Sequence, residues 1–559
     1  MLDGTALAPE LALRRLTMTT REQWIDTLGR LVEVESVTGS PVEAAFPRHL
    51  RSLLSEQTYF AAHPEAISLH PTGDGREVLT ALFRPDGPPR PDTVVLLAHY
   101  DVVGVEDYGP RAALAFSPVR LTNALQEHPQ DLPPDARQDL QSGRFLFGRG
   151  VMDMKGGLAS EISLLEEAGA GTFRPGGNLL LLAVPDEEVH SVGMRSALDA
   201  LSVLARAHDL VYRLVLNTKP VFPRVPGDRQ QYLYTGSMGK ILAGFYCLGQ
   251  VTHVGESLSG LNANTMAAAI TMALEWHPAL VQHYHDETTP PPTNLLQYGL
   301  SERYSVQVPF RAVTLTNVLT HDRPLAEVLG ELMGIARDAG SRLMADYHEA
   351  VRRAGAGEGV VPDIRVWTFQ ELKGEAAART STEAVDAAIA RALQSTPGDE
   401  RARAVRAMDA VAALIPEEAP LMVLFLAPPY YPAVNFSRHP LVARVAEAAN
   451  HALSDGGLSP YRSQTFYGGL SDLSFVGDPT PPAVRTLLEN TMPGWGTLYD
   501  IPASAGVLRD TPGMNIGPIG FDAHQATERV DVDFAVAGLL RALRAAVQEA
   551  LAALPRQAS

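Results

Sequence analysis

Four short stretches of this chain gather the residue types that hydrolytic metal chemistry needs: AHYDVVG (98–104), GRGVMDMKGG (148–157), VPDEEVH (184–190) and GFDAHQATER (520–529). A pair of divalent ions requires neutral imidazoles, terminal carboxylates and one carboxylate able to bridge both ions. His99 and Asp101 lie two apart, on the same side of an extended segment. Asp101 can therefore accept from the ring N–H of His99 and fix its tautomer. Asp153 follows a Gly-Arg-Gly turn and opens a helix, a suitable place for a bridging carboxylate. Glu187 and Glu188 are adjacent at a strand end and point to opposite sides, so one can bind metal while the other handles protons. Each motif alone has an ordinary reading: an HxD tripeptide is commonly plain surface or core, and a Glu pair is commonly a solvated helix face. GRGVMDMKGG lacks the GxxxxGK[ST] and GxGxxG spacings of phosphate loops. His190, beside the Glu pair, reads as a local packing or hydrogen-bonding residue. The four clusters in this order, each at a strand end or a Gly-rich loop, point to metal.

The elements that must position them alternate. TVVLLAHYD (93–101), NLLLLAVPDEE (178–188) and YRLVLN (212–217) read as strands buried on both faces, with helices over LASEISLLEEAG (158–169) and SALDALSVLARAHD (196–209). This pattern predicts an α/β fold, a mostly parallel sheet flanked by helices, whose chemistry collects past the carboxyl ends of the strands. Between 234 and 433 the texture changes to strand-like KILAGFYCLGQ (240–250), a helix in 262–276 capped by Asn262 or Asn264, a long amphipathic helix in 324–355 and the strand PLMVLFLAPPYY (420–431). The expected organisation is a catalytic domain over 18–233 and 434–555, interrupted by an inserted α+β domain over 234–433. Proline-rich 126–139 and 286–294 read as surface insertions, and 354–359 and 395–400 as loops.

Composition narrows the class. At 559 residues the chain has room for about three to four domains, and 45% hydrophobic against 20% charged residues excludes a mainly disordered protein. A net charge of −18 (46 − 64) argues against nucleic acid and anionic membranes as partners. The one cysteine, Cys247, excludes an intramolecular disulfide and a thiolate cluster. With no long apolar N-terminal stretch and no run of 18 apolar residues, the expected location is the cytoplasm. MTTREQWIDTLGRLVEV opens an amphipathic helix with Thr20 as its N-cap, which favours Met18 as the natural start.

The four clusters resemble the di-zinc superfamily of carboxypeptidase G, aminoacylases and acetylornithine deacetylase. THVGESLSGLNAN (252–264) is similar to the His-x-Gly segment that opens that superfamily's inserted dimerisation or lid domain, and YGGLSDLSF (467–475) to its late Gly-Gly-x-x-Asp loop. The insertion and FLAPPYYPAV (425–434) are most similar to the branch called arginine-utilisation protein RocB. The resemblance implies a zinc-dependent hydrolase of a peptide or N-acyl amide bond, with Co2+ or Mn2+ as substitutes and a link to amino-acid catabolism. It implies that His99 binds one metal, Asp153 bridges, Glu188 and His524 bind the other, and Asp101 orients His99. Glu187 would be the general base toward metal-activated water, and His253 would polarise the scissile carbonyl from a neighbouring subunit, hence a homodimer. Arg462 and Asp472 fall where substrate contact or loop support is expected.

One position departs from the superfamily. After the third strand an Asp or Glu usually serves the metal held by the first histidine, but LNTKPVF (216–222) offers Asn217, Thr218 and Lys219. Either Asn217 supplies a weak oxygen ligand and Lys219 points to solvent, or the lysine places a fixed positive charge beside Asp153 and displaces a metal. A one-metal enzyme built on Asp153, Glu188 and His524 stays workable. The alternative is a catalytically silent relative that binds an amino-acid derivative or a partner.

Overall fold

The computed structural model describes residues 18–552, except 226, 302–303, 356–360, 396–398 and 478–479. The stretch before Met18 and most of the loops expected at 354–359 and 395–400 lie outside the described residues. The chain divides into two compact units: residues 1–237, 434–479 and 502–559 form one, and 238–433 with 480–501 the other.

The first unit is built on an eight-stranded sheet. In chain order its main elements are β1 (Ile67–Pro71), β2 (Glu77–Phe83), β3 (Asp92–His99), α1 (Lys155–Gly169), β4 (Asn178–Val184), α2 (Val192–His208) and β5 (Val211–Asn217). The order is β1-β2-β4-β3-β5, continued by Gly513–Asn515, Tyr232–Tyr234 and Arg462–Gln464. β4, β3, β5 and Gly513–Asn515 run parallel, while β1 and β2 are antiparallel additions at one edge. Continuous runs such as NLLLLAV are buried along their whole length because helices cover both faces of these strands. Register aligns the functional ends: His99 pairs with Val184, and Leu97 with Asn217. The residues that follow β3, β4 and β5 therefore leave the sheet at one edge.

α1 is apolar or small almost all round, KGGLASEISLLEEAG, and nearly every residue is buried, as a helix sandwiched in a large core requires. Its first turn approaches the exit of β5 so closely that a β-carbon at Gly157 would stand 2.2 Å from Thr218 O. Only glycine permits that approach. A three-stranded sheet of Phe145–Phe147, Arg529–Asp531 and Gly520–Phe521 pairs Phe147 with Arg529, which brings the 522–528 loop beside the Gly148–Asp153 turn. The proline-rich 126–139 stretch is more than a surface insertion: Asp139 is buried and binds Arg529 and Arg229, each at 2.7 Å.

The second unit holds β6 (Gly239–Leu248), α3 (Ala263–Leu274), β7 (Thr293–Gly299), β8 (Arg311–Thr320), α4 (Leu325–Arg353), β9 (Arg365–Thr368) and β10 (Leu421–Tyr431), with sheet order β7-β8-β6-β10-β9. Alternate side chains of this sheet, among them Leu242, Tyr246, Val423 and Phe425, pack on Phe369, Leu372, Met408 and Val411 of the helices that follow β9. Asn262 caps α3 by accepting from Asn264 N at 2.9 Å.

Candidate metal centre

All four motifs meet at the carboxyl edge of the first unit's sheet, around Asp153. Its Oδ1 lies 3.1 Å from His99 Nε2 and 3.6 Å from Lys219 Nζ, and its Oδ2 lies 3.7 Å from His524 Nε2. Asp153 is held from behind: Glu528 Oε1 accepts from the N–H groups of Met152 (3.1 Å) and Asp153 (3.3 Å), while Glu528 Oε2 binds Arg149 at 2.7 Å. This buried Glu528–Arg149 pair lies inside two of the motifs, yet neither residue type nor spacing marks it as support.

Asp101 is fully buried. It accepts from the N–H groups of Glu187 (3.1 Å) and Glu188 (3.2 Å) and from Thr38 Oγ1 (2.9 Å). These bonds clamp the turn after β4 and leave the two glutamates facing different histidines. His99 Nδ1 faces Asp101 twice, at 3.0 Å from the backbone O and 3.4 Å from Oδ1. Glu187 Oε2 lies 3.5 Å from His99 Nε2, and Glu188 Oε1 3.0 Å from His524 Nε2. His524 has a left-handed backbone, φ 63, and a half-exposed side chain.

Lys219 is the cation of the site. Its buried ammonium stands 2.7 Å from Glu187 Oε1. Burial works against its charge, but Asp153, Glu187 and Glu188 outweigh burial and hold it well above the ordinary lysine range. Against the same burial, Lys219, His99 and His524 hold the Asp153 carboxyl well below its ordinary range. Burial pushes Glu187 up to about 8, against the pull of Lys219 and His99. The hydrogen bond to Glu188 raises His524.

The reading that turned Lys219 to solvent and made Asn217 the oxygen ligand is corrected. Lys219 does not point to solvent, and the Asn217 amide is engaged elsewhere: its Oδ1 accepts from Lys219 N at 3.2 Å, and its Nδ2 donates to Ser471 Oγ at 2.8 Å. Asp472 is buried beside this group, with burial pushing its carboxyl up to about 6. Arg462 lies on the outermost strand of the sheet, exposed. His253 belongs to the second unit, where its exposed ring accepts from Gly255 N at 3.1 Å.

Two sets of donors converge tightly enough for a cation: Asp153, Glu188 and His524, and His99, Glu187 and Glu188, each with ligand atoms within 4.8 Å of one another. Carboxylate oxygens with one imidazole suit zinc, cobalt or manganese. The first set fits such an ion. The second already has an ammonium against Glu187.

A sheet edge that gathers carboxylates and imidazoles in this way defines a metal-dependent hydrolase. The family model for peptidase family M20/M25/M40 matches residues 95–494, and the chain belongs to that family of metal-dependent peptidases and amidohydrolases. It is 40% identical over 516 residues to YqjN of Bacillus subtilis (strain 168), covering 91% of this chain and 93% of that protein. It is 28% identical over 516 residues to RocB of the same organism, covering 89% and 90%. The fold is similar to that of the M20 family metallo-carboxypeptidase Sso-CP2 from Sulfolobus solfataricus, with a TM-score of 0.52 at 12% identity over 94% of this chain and 99% of that one.

Proposed function

We propose that the chain is a zinc-dependent hydrolase of the amide bond in a small dipeptide or N-acyl amino acid. The observation that carries this reading is the convergence of Asp153, Glu188 and His524 on one point, with Glu187 next in the chain. Those three residues would hold the ion. When bound, zinc, or cobalt or manganese in its place, supplies Lewis acidity to the carbonyl and makes water a stronger acid. Glu187 takes the proton from water and delivers it to the leaving amine. Asp101, fixed by the hydrogen bonds it accepts from the Glu187 and Glu188 N–H groups and from Thr38 Oγ1, keeps His99 turned toward Asp153. His253 would polarise the carbonyl from a second copy of the chain. The exposed Leu295, Leu296 and Tyr298 of the outer strand β7, together with Met272 of α3 and Trp276, support a homodimer formed through the inserted domain, which also serves as a lid. The likeness to RocB supports a place in arginine or other amino-acid catabolism, and the single buried Cys247 suits the cytoplasm.

Glu187→Gln tests the reading. Turnover should fall by at least about two decades with the fold intact; a variant as active as the parent sinks the assignment. The ion pair at Lys219 favours a second reading, a catalytically silent relative that binds an amino-acid derivative. Protein purified without chelator that holds almost no metal, and gains no activity on adding zinc or cobalt, decides for it.

A further inference from the structure

We propose that Lys219 takes the place of a second metal ion, so that the site is complete with one divalent ion, held by Asp153, Glu188 and His524, and one permanent ammonium. This deepens the hydrolase reading and rests on it. The two oxygens of Asp153 face different partners: Oδ2 faces His524, with which it would share the ion, while Oδ1 faces His99 at 3.1 Å and the Lys219 ammonium at 3.6 Å. The bridging role of this carboxylate is thus kept, with a side chain in place of one ion. Lys219 Nζ also lies 2.7 Å from Glu187 Oε1, against a carboxylate that an ion on the His99 side would need.

Its position is built in three ways. Asn217 Oδ1 accepts from its backbone N–H, Asn515 Nδ2 donates to its backbone O at 2.8 Å, and the 517 backbone crosses so near that a β-carbon at Gly517 would stand 1.7 Å from Lys219 O. The side chain therefore extends inward, past the ring of Tyr467, whose centroid is 5.9 Å from Nζ. An ammonium cannot dissociate as an ion can, and it adds no exchangeable ligand position. It gives Asp153 and Glu187 a fixed counter-charge and leaves Lewis acidity to the single ion on the other side.

The test is metal stoichiometry of the full-length protein, freed of metal and then titrated with zinc, read by elemental analysis after desalting and by calorimetry. The parent should take up one zinc per chain. Lys219→Glu, which restores a carboxylate, should take up two, a twofold rise. Lys219→Met, which removes the charge without adding a ligand, should keep one zinc but bind it at least tenfold more tightly, because the repulsion across Asp153 is gone. Two zinc ions per parent chain overturn the inference and leave the hydrolase reading standing; no zinc in the parent overturns both. A Lys219→Glu variant that folds and holds one zinc also overturns it. Should that variant fail to fold, unchanged zinc affinity in Lys219→Met does the same.

Discussion

The two sides of Asp153 solve the same electrostatic problem differently. On the Oδ2 side, one oxygen each of Asp153 and Glu188 and one ring nitrogen of His524 converge within 4.8 Å of one another, with the histidine half-exposed on a loop. On the Oδ1 side, His99 is buried against Asp101 and Asp153, and Lys219 fills the space up to Glu187. An ammonium and a divalent ion about 4 Å apart repel by about 8 kcal/mol at an effective dielectric near 20. A second ion on the lysine side would have to overcome that in addition to losing its water. One carboxylate can therefore have an exchangeable cation on one oxygen and a covalently tethered one on the other. On this reading, a carboxylate that serves cations on both of its oxygens keeps that role with an ammonium on one side.

The sharpest way to break this comparison is to remove the exchangeable side. Chelation, or His524→Ala, should abolish metal binding and lower turnover about 10³-fold or more, since several kcal/mol of charge stabilisation leaves with the ion. Adding zinc or cobalt should restore the chelated parent but not the variant. Retention of one tightly held ion in His524→Ala would show that the cation sits elsewhere. The matching change on the other side is expected to do less. His99→Ala removes a hydrogen-bond partner of Asp153 worth about 1.5 kcal/mol, so turnover should drop only about tenfold while zinc content stays at one. Loss of all zinc in His99→Ala would make that side the ion's home.

The α/β fold was legible because buried strands of 7–8 residues alternate with helices and place each polar cluster at a strand end. The antiparallel edge was not, since nothing in EVLTALF or ISLHP tells the direction of pairing. In the site, His99, Asp101, Asp153, Glu187, Glu188 and His524 were visible as residue types at telling spacings. The destination of Lys219 was not, because it depends on contacts made far along the chain by Asn515 and Gly517 and on the side-chain bonds that occupy Asn217. Glu528 and Asp139 were hidden for a related reason: a carboxylate in a polar stretch reads as solvated until the fold buries it against an arginine. Sequence patterns carry chemistry and periodicity well, but they carry little of the long-range packing that decides which charges are paired.

Glu161 offers the subtlest contrast with Asp153. Both are buried acids, yet Asp153 has Lys219 and two histidines around it, while Glu161, in the middle of α1, has among the described residues only the Thr218 hydroxyl, which donates to its Oε1 at 2.9 Å. Burial without a counter-charge pushes its carboxyl well above the ordinary range, so the folded protein keeps the proton where the unfolded chain loses it. The sign follows. This group's contribution is full below the unfolded carboxylate range and declines as pH rises toward the folded value, by about 1.4 kcal/mol for each pH unit between the two. Glu161→Gln keeps the shape and the acceptor for Thr218 but cannot ionise. Its stability to urea should match that of the parent near pH 5 and exceed it near pH 8, with zinc content unchanged. Parallel pH profiles for the two proteins would mean that Glu161 is ionised in the fold.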